Sequence, residues 1–414
     1  MKQTNHLDTL LALRGFACLM VVILHCNPPR NSIIYQNYDF SWIILSHGFV
    51  AVWIFFVLSG YLMGKAFYAE RYTFDLPGVI NFWRNRILRI LPLYYFVILI
   101  CILFVYPNLL KIENWGNLVR LCTFTYNSSL ELKSDLAFNG VIWSLSTEVQ
   151  FYILVPFIYS YFKNCLWKKK QVLLALLSIF TLTFFIRCIF WISIKHEITD
   201  KFTYMFKYWY APLITNLDLF ICGFLINAWI KNQPSTKSPS QLKCLIKQAF
   251  KLSKLSKKTL SIIFLFFLYL FTAYHLYYQE LWNLPEHLGK GIRTTTTFFI
   301  LQPLTALVVS FFILAFESET YNSFIKNEKL SFATILRNPL RIMEVFGNLS
   351  YGVYVWHWPI LHNISPIFTS TIPIEAFYAR LTAALILSIV LATITYYLVE
   401  LPFGKRKIYQ QPGN

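Results

Sequence analysis

Ten stretches of about twenty mostly apolar residues recur along this chain of 414 residues. A stretch of that length, wound as a helix at ~1.5 Å per residue, reaches about 30 Å, the hydrocarbon thickness of a bilayer. The runs fall at 8–27, 43–66, 88–107, 140–162, 171–194, 209–230, 259–278, 297–316, 345–365 and 377–399. The expected fold is therefore all-α, a polytopic membrane bundle of about ten transmembrane helices. Only 14% of the residues are charged, against ~25% in a soluble protein. The net charge of +18 would suggest nucleic acid in a soluble chain. Here the lysines and arginines cluster between the apolar runs, so the bilayer is the expected partner and nucleic acid is not.

The basic clusters alternate down the chain. Lys65, Arg71, Arg84, Arg86 and Arg89 follow the second run, and Lys163, Lys168, Lys169 and Lys170 follow the fourth. The segment 231–258, after the sixth, holds eight lysines and no acid, and Lys405, Arg406 and Lys407 lie in the tail. The intervening loops mix in acids (Glu113, Glu131, Asp135, Glu280, Glu286). Positive charge marks the cytoplasmic side, which puts both termini there. Within 231–258, Leu242, Leu245, Ile246, Ala249 and Phe250 alternate with lysines at helical spacing, as in an amphipathic helix on an anionic leaflet. One transmembrane domain is expected over 1–403, with a basic tail at 404–414 and no appended soluble domain. The eight cysteines show no paired or metal-ligand spacing, so neither a disulfide framework nor a metal site is expected. No cleavage site follows the first run, so no cleaved signal is expected either.

Several ionisable residues interrupt the runs. Arg14 and His25 lie eleven positions apart in the first. That is close to three helical turns, so they share a face ~16 Å apart. A charge inside a span costs at least ~2.5 kcal/mol and usually faces a polar cavity; the alternative is a snorkelling arginine and an interfacial histidine. Ser59-Gly60, mid-way through the second run, permits close approach of another helix. Arg84, Arg86 and Arg89 precede Pro92 at the third, where guanidinium forks suit phosphate and topology also favours positive charge. Ser144, Glu148 and Tyr152 are spaced by four, forming one polar stripe. Glu148 can pair with an arginine of a neighbouring helix, or orient and charge a histidine acting as general base. Asp218 lies in the sixth run, Tyr351, Tyr354 and His357 along one side of the ninth, and Glu400 at the boundary of the tenth; Arg187 and His275 also fall within runs. The sum is a polar intramembrane cavity through which something passes or in which something reacts.

Six stretches in order resemble the acyltransferase 3 family of integral-membrane O-acyltransferases. They are L-x-x-L-R-G-x-A with Arg14 and His25 separated by ten residues, F-F-V-L-S-G-Y-L (55–62), R-x-R-x-x-R-I-x-P (84–92), W-S-L-S-x-E-x-x-F-Y (143–152), S-Y-x-x-Y-x-x-H-x-P (350–359) and E-x-P-F (400–403). The resemblance covers nearly the whole chain and implies a ten-span core. Thr147 stands beside Glu148 where many members carry a second acid, which leaves Glu148 as the one carboxylate to consider there.

The resemblance implies transfer of an acyl group, acetyl above all, from cytoplasmic acetyl-CoA to a hydroxyl of a cell-surface polysaccharide. Lipopolysaccharide O-antigen or exopolysaccharide is the first-named acceptor, with peptidoglycan and an antibiotic-like small molecule also open, and the bacterial inner membrane is the location. Acetyl-CoA is a donor substrate, with no bound cofactor. His25 is implied as general base or as a transient acyl carrier, Glu148 as its orienter and Arg14 as holding the donor or the cavity electrostatics. Arg84, Arg86 and Arg89 would meet the CoA phosphates, with Ser59, Ser144, Tyr152, Tyr354 and His357 as further acyl-CoA or substrate contacts. A homodimer is a permitted assembly. The competing expectation is a transporter or flippase that moves a glycan or acylated intermediate without chemistry.

Overall fold

The computed structural model describes residues 7–126, 140–200, 206–232, 256–278, 295–320 and 328–406, with backbone alone at 196–200 and 319–320. The Lys-rich segment 231–258 and the tail 404–414 lie outside these residues except at their ends, as does part of the long loop 107–139. Ten long helices match the ten expected spans: α1 (Thr9–His25), α2 (Gly48–Tyr68), α3 (Leu76–Phe104), α4 (Trp143–Cys165), α5 (Lys169–Asp200), α6 (Leu217–Lys231), α7 (Lys257–Tyr277), α8 (Gln302–Thr320), α9 (Ile342–Ile364) and α10 (Pro373–Thr395). The protein is an all-α, multi-pass membrane protein. Seven of the spans are long and apolar enough to cross a bilayer on length and composition. The other three, α1, α4 and α9, are shorter or more polar, and they carry Arg14 and His25, Ser144 and Glu148, and Tyr354 and His357.

Helix ends follow local chemistry. Asp8 caps α1 by accepting from the Leu11 amide (3.0 Å), and Asp75 caps α3 by accepting from Gly78 (3.0 Å), next to Pro77 in the first turn. That cap starts α3 well before the apolar run, so Arg84, Arg86 and Arg89 lie inside the helix rather than in a loop ahead of it. The sixth run differs from expectation at its start: Pro212 interrupts it, and residues 206–216 form a π turn and a 3-10 turn before α6. The Asn216 amide donates to the carbonyls of Tyr210 (2.8 Å) and Pro212 (2.9 Å), satisfying the broken backbone.

Glycine contacts set the two closest helix pairs. A Cβ on Gly60 would lie 2.0 Å from the Phe220 carbonyl oxygen, and one on Gly223 2.0 Å from that of Val57, so α2 and α6 touch backbone to backbone. Gly60 thus has the packing role that its sequence suggests. The same holds for α1 and α9, where a Cβ on Gly15 would lie 2.2 Å from the Met343 oxygen and one on Gly347 2.0 Å from that of Leu11. These two helices run parallel, as odd-numbered spans must. Their register continues along the pair: the Cys18 thiol donates to the Ser350 carbonyl (3.7 Å), and His25 meets His357.

Beyond α1 the chain forms a short hairpin, β1 (Ile34–Tyr35) against β2 (Tyr38–Asp39), through Gln36 and Asn37 at positive φ. It docks on the end of α7, where the Tyr278 hydroxyl donates to the Asp39 carbonyl (2.9 Å).

Candidate active site

Helices α1, α2, α3, α4 and α9 line a partly open cavity. Its polar lining is Arg14, Ser59, Arg86, Arg89, Ser144, Glu148, Tyr152, Ser350, Tyr351 and Tyr354, set among apolar residues that include Phe55, Leu62 and Ile90. Eight of the eleven residues singled out in the sequence therefore share one chamber. Three guanidinium groups face a single carboxylate, so the space carries an excess of positive charge.

The carboxylate is held by neutral groups. Ser59 Oγ donates to Glu148 Oε1 (2.7 Å), and the Tyr152 hydroxyl donates to the same oxygen. Glu148 forms no ion pair within 4.0 Å among the described residues. The expected arginine partnership is thus not a direct one, although Arg14 lines the same chamber. Arg14 itself makes no hydrogen bond among the described residues, and Arg86 Nε is buried without a partner. A buried guanidinium such as that of Arg86, with no carboxylate paired to it among the described residues, is costly unless something anionic or wet serves it.

One wall of the chamber leads toward His25. The Tyr354 hydroxyl and Ser144 Oγ are 2.7 Å apart, and the Tyr354 hydroxyl also donates to the Val141 carbonyl (3.1 Å). The ring of Tyr354 lies 5.8 Å from that of His357. His357, fully buried, in turn meets His25 edge to edge, the ring planes 20° from parallel, with His25 Nδ1 2.9 Å from His357 Nε2. The edge of Trp358 packs on His25 at 4.8 Å. Arg380 Nε donates to the Cys26 carbonyl (3.2 Å), anchoring the last turn of α1.

Three sequence-based assignments change here. The hydrogen-bond partner of His25 is His357, not Glu148, whose acceptor oxygen is taken up by Ser59 and Tyr152 on the far side of Tyr354. His357 does not line the chamber, because it is buried between α1 and α9. Arg84 is exposed and outside the lining, since the helix turns it away from the face that Arg86 and Arg89 present. Tyr351, which the sequence puts on one side of the ninth run with Tyr354, lines the chamber and donates to the Ile90 carbonyl (2.7 Å); Ser350, which sequence reasoning misses, lines it as well. Its signal was the S-Y pair that opens the ninth-run motif.

Polar chambers in membrane bundles serve both passage and chemistry, so likeness to known proteins is informative. The model of an acyltransferase domain matches residues 8–397. The chain belongs to the acyltransferase 3 family. Among curated relatives, the O-acetyltransferase OatA of Staphylococcus aureus is 22% identical over 98% of the chain and 58% of the relative. The peptidoglycan O-acetyltransferase OatA of Listeria monocytogenes is 24% identical over 97% of the chain and 56% of the relative. The putative peptidoglycan O-acetyltransferase YrhL of Bacillus subtilis is 24% identical over 96% and 55%. The chain thus spans a little over half the length of these relatives. No solved structure matches it significantly.

Proposed function

We propose that this acyltransferase carries an acyl group, acetyl as in the names of its relatives, from a cytoplasmic CoA thioester to a hydroxyl of a cell-envelope glycan on the opposite face of a bacterial cytoplasmic membrane. The observation that supports this reading is the chamber lined by three arginines and one carboxylate, together with the imidazole of His25, which lies outside that lining and is linked to it through His357 and Tyr354. Arg14 lies five residues into α1 and His25 ends it, a rise of ~16 Å between them. The cations suit the phosphates of a CoA donor entering from the basic side. Its extended thiol arm would lie along the chamber and bring the thioester to the Tyr354 end. There His25 takes the proton of the acceptor hydroxyl as its oxygen attacks the thioester carbonyl carbon. The carbon–sulfur bond breaks, and the leaving thiolate recovers the proton. Two relatives named for peptidoglycan favour that glycan over the lipopolysaccharide or exopolysaccharide first expected.

The test is transfer in proteoliposomes given acetyl-labelled acetyl-CoA on one face and peptidoglycan glycan strands on the other. Label on the glycan with the unaltered protein, and a loss of ~10²-fold or more with His25→Ala, supports the enzyme. Glycan or donor crossing unmodified would replace it with the transport reading.

A further inference from the structure

The contact between the two histidines has a direction that the heavy atoms alone determine. His357 Nδ1 lies 3.2 Å from the Val353 carbonyl oxygen, one turn back on α9. A carbonyl only accepts, so the proton of that hydrogen bond sits on His357 Nδ1. His357 is fully buried, and its hydrogen-bond partners are a carbonyl and another imidazole, with no carboxylate among them. A charged ring there would lack a counter-ion. Neutral His357 with hydrogen on Nδ1 offers a bare lone pair at Nε2. The group 2.9 Å from that lone pair is His25 Nδ1, which must then be the donor. The proton of His25 is thereby fixed on Nδ1, and its Nε2 is left with a free lone pair and no hydrogen-bond partner among the described residues.

We propose that His357 is a positioning residue: it holds His25 in the Nδ1-protonated tautomer and so turns a basic Nε2 toward the acceptor. The order runs Val353 carbonyl, His357, His25. A neutral imidazole occupies the place where a carboxylate often supports a catalytic histidine. The assignment rests on the acyl-transfer reading for its purpose but on hydrogen-bond geometry for its substance. Two further contacts keep the arrangement in place. Trp358 packs edge-on against His25 and opposes a ring flip. The glycine crossing at Gly15 and Gly347 lies ten residues before each imidazole and fixes the level at which they meet.

The direct test is 15N NMR of the full chain in lipid, labelled at histidine nitrogen, with the His25 signals identified by their loss in His25→Ala. The expected spectrum shows a protonated Nδ1 and an unprotonated Nε2 at His25. In His357→Leu the balance should move toward the Nε2-protonated form that free imidazole side chains prefer. A wild-type His25 protonated at Nε2, or a tautomer unmoved by His357→Leu, overturns the proposal. Kinetics supply the second arm, with acetyl-CoA as donor and peptidoglycan glycan strands as acceptor. His357→Leu should lower kcat by ~10²-fold with the donor KM unchanged. His357→Gln, whose amide oxygen accepts from Nδ1–H, should recover activity to within about tenfold of wild type. Equal losses in the two variants, or a KM effect alone, would count against positioning. If the unaltered protein puts no label on the glycan, the acyl-transfer reading fails while the tautomer result stands by itself; if His25→Ala leaves transfer intact, His25 is not the base and the positioning role falls.

Discussion

The membrane interior of this protein holds two arginine sites built on opposite plans. At the first, Arg187 of α5 places Nη2 2.7 Å from both Asp218 oxygens and 2.7 Å from the Thr215 carbonyl. Both side chains are shut off from solvent, at 2% and 0% exposure, and the Gln302 amide donates a hydrogen bond to the same Thr215 carbonyl (2.8 Å). At the second, Arg14, Arg86 and Arg89 line a chamber whose single carboxylate bonds to a serine and a tyrosine. The first site closes its charge on itself and ties α5 to α6. The second leaves positive charge facing space. A buried ion costs the fold unless its partner is built in; where the partner is not built in, the charge is kept for something that arrives.

That contrast predicts opposite responses to substitution. Asp218→Ala should strip Arg187 of its counter-ion and cost about 3–5 kcal/mol of stability, read as a marked fall in the melting midpoint of detergent-purified protein. Replacing both partners, Arg187→Met with Asp218→Leu, should recover most of that loss. Glu148→Gln should do the reverse, lowering acyl transfer by ~10²-fold while the midpoint shifts by the equivalent of less than about 1 kcal/mol. If Glu148→Gln destabilises as strongly as Asp218→Ala, the division between a closed and an open site collapses.

Smaller effects refine the open site. Gly347→Ala forces a methyl against the Leu11 carbonyl and should cost about 1–3 kcal/mol. Transfer measured well below the melting point should also fall, because the strain separates α1 from α9 near the histidines. A variant that is less stable yet fully active per folded molecule would show that the glycine crossing does not govern the imidazole contact. Arg86→Ala should raise the donor KM about tenfold, the scale of one charge-assisted hydrogen bond. Arg84→Ala, on the exposed face of α3, should leave it within about twofold. Equal effects from the two would mean that the donor docks outside the chamber.

The span count was legible because apolar runs of bilayer length leave a chain little choice, and the alternation of basic loops ordered them. The chamber was legible too, since Arg14, Glu148 and the Ser144–Tyr152 stripe are too costly to place in lipid without a reason. What the sequence could not supply was which helix lies against which. Glu148 was matched to His25 because carboxylates commonly support imidazoles, yet the parallel packing of α1 on α9 presents His357 first. Spacing within a helix is written in the sequence, whereas proximity between helices depends on small residues such as Gly15 and Gly347, whose signal is the absence of a side chain. The hairpin at Ile34–Asp39 gave no warning either, being two residues per strand.

The shared interval of ten residues from glycine to imidazole makes α1 and α9 behave like two rulers clamped at one mark. Inserting a single residue between Gly15 and His25 would carry that ring ~1.5 Å up the helix and swing it by roughly 100°, out of reach of its neighbour. Neither helix of the pair can change length alone. A compensating insertion after Gly347 would restore the meeting point, so the two distances form one inherited measure held in two distant parts of the gene.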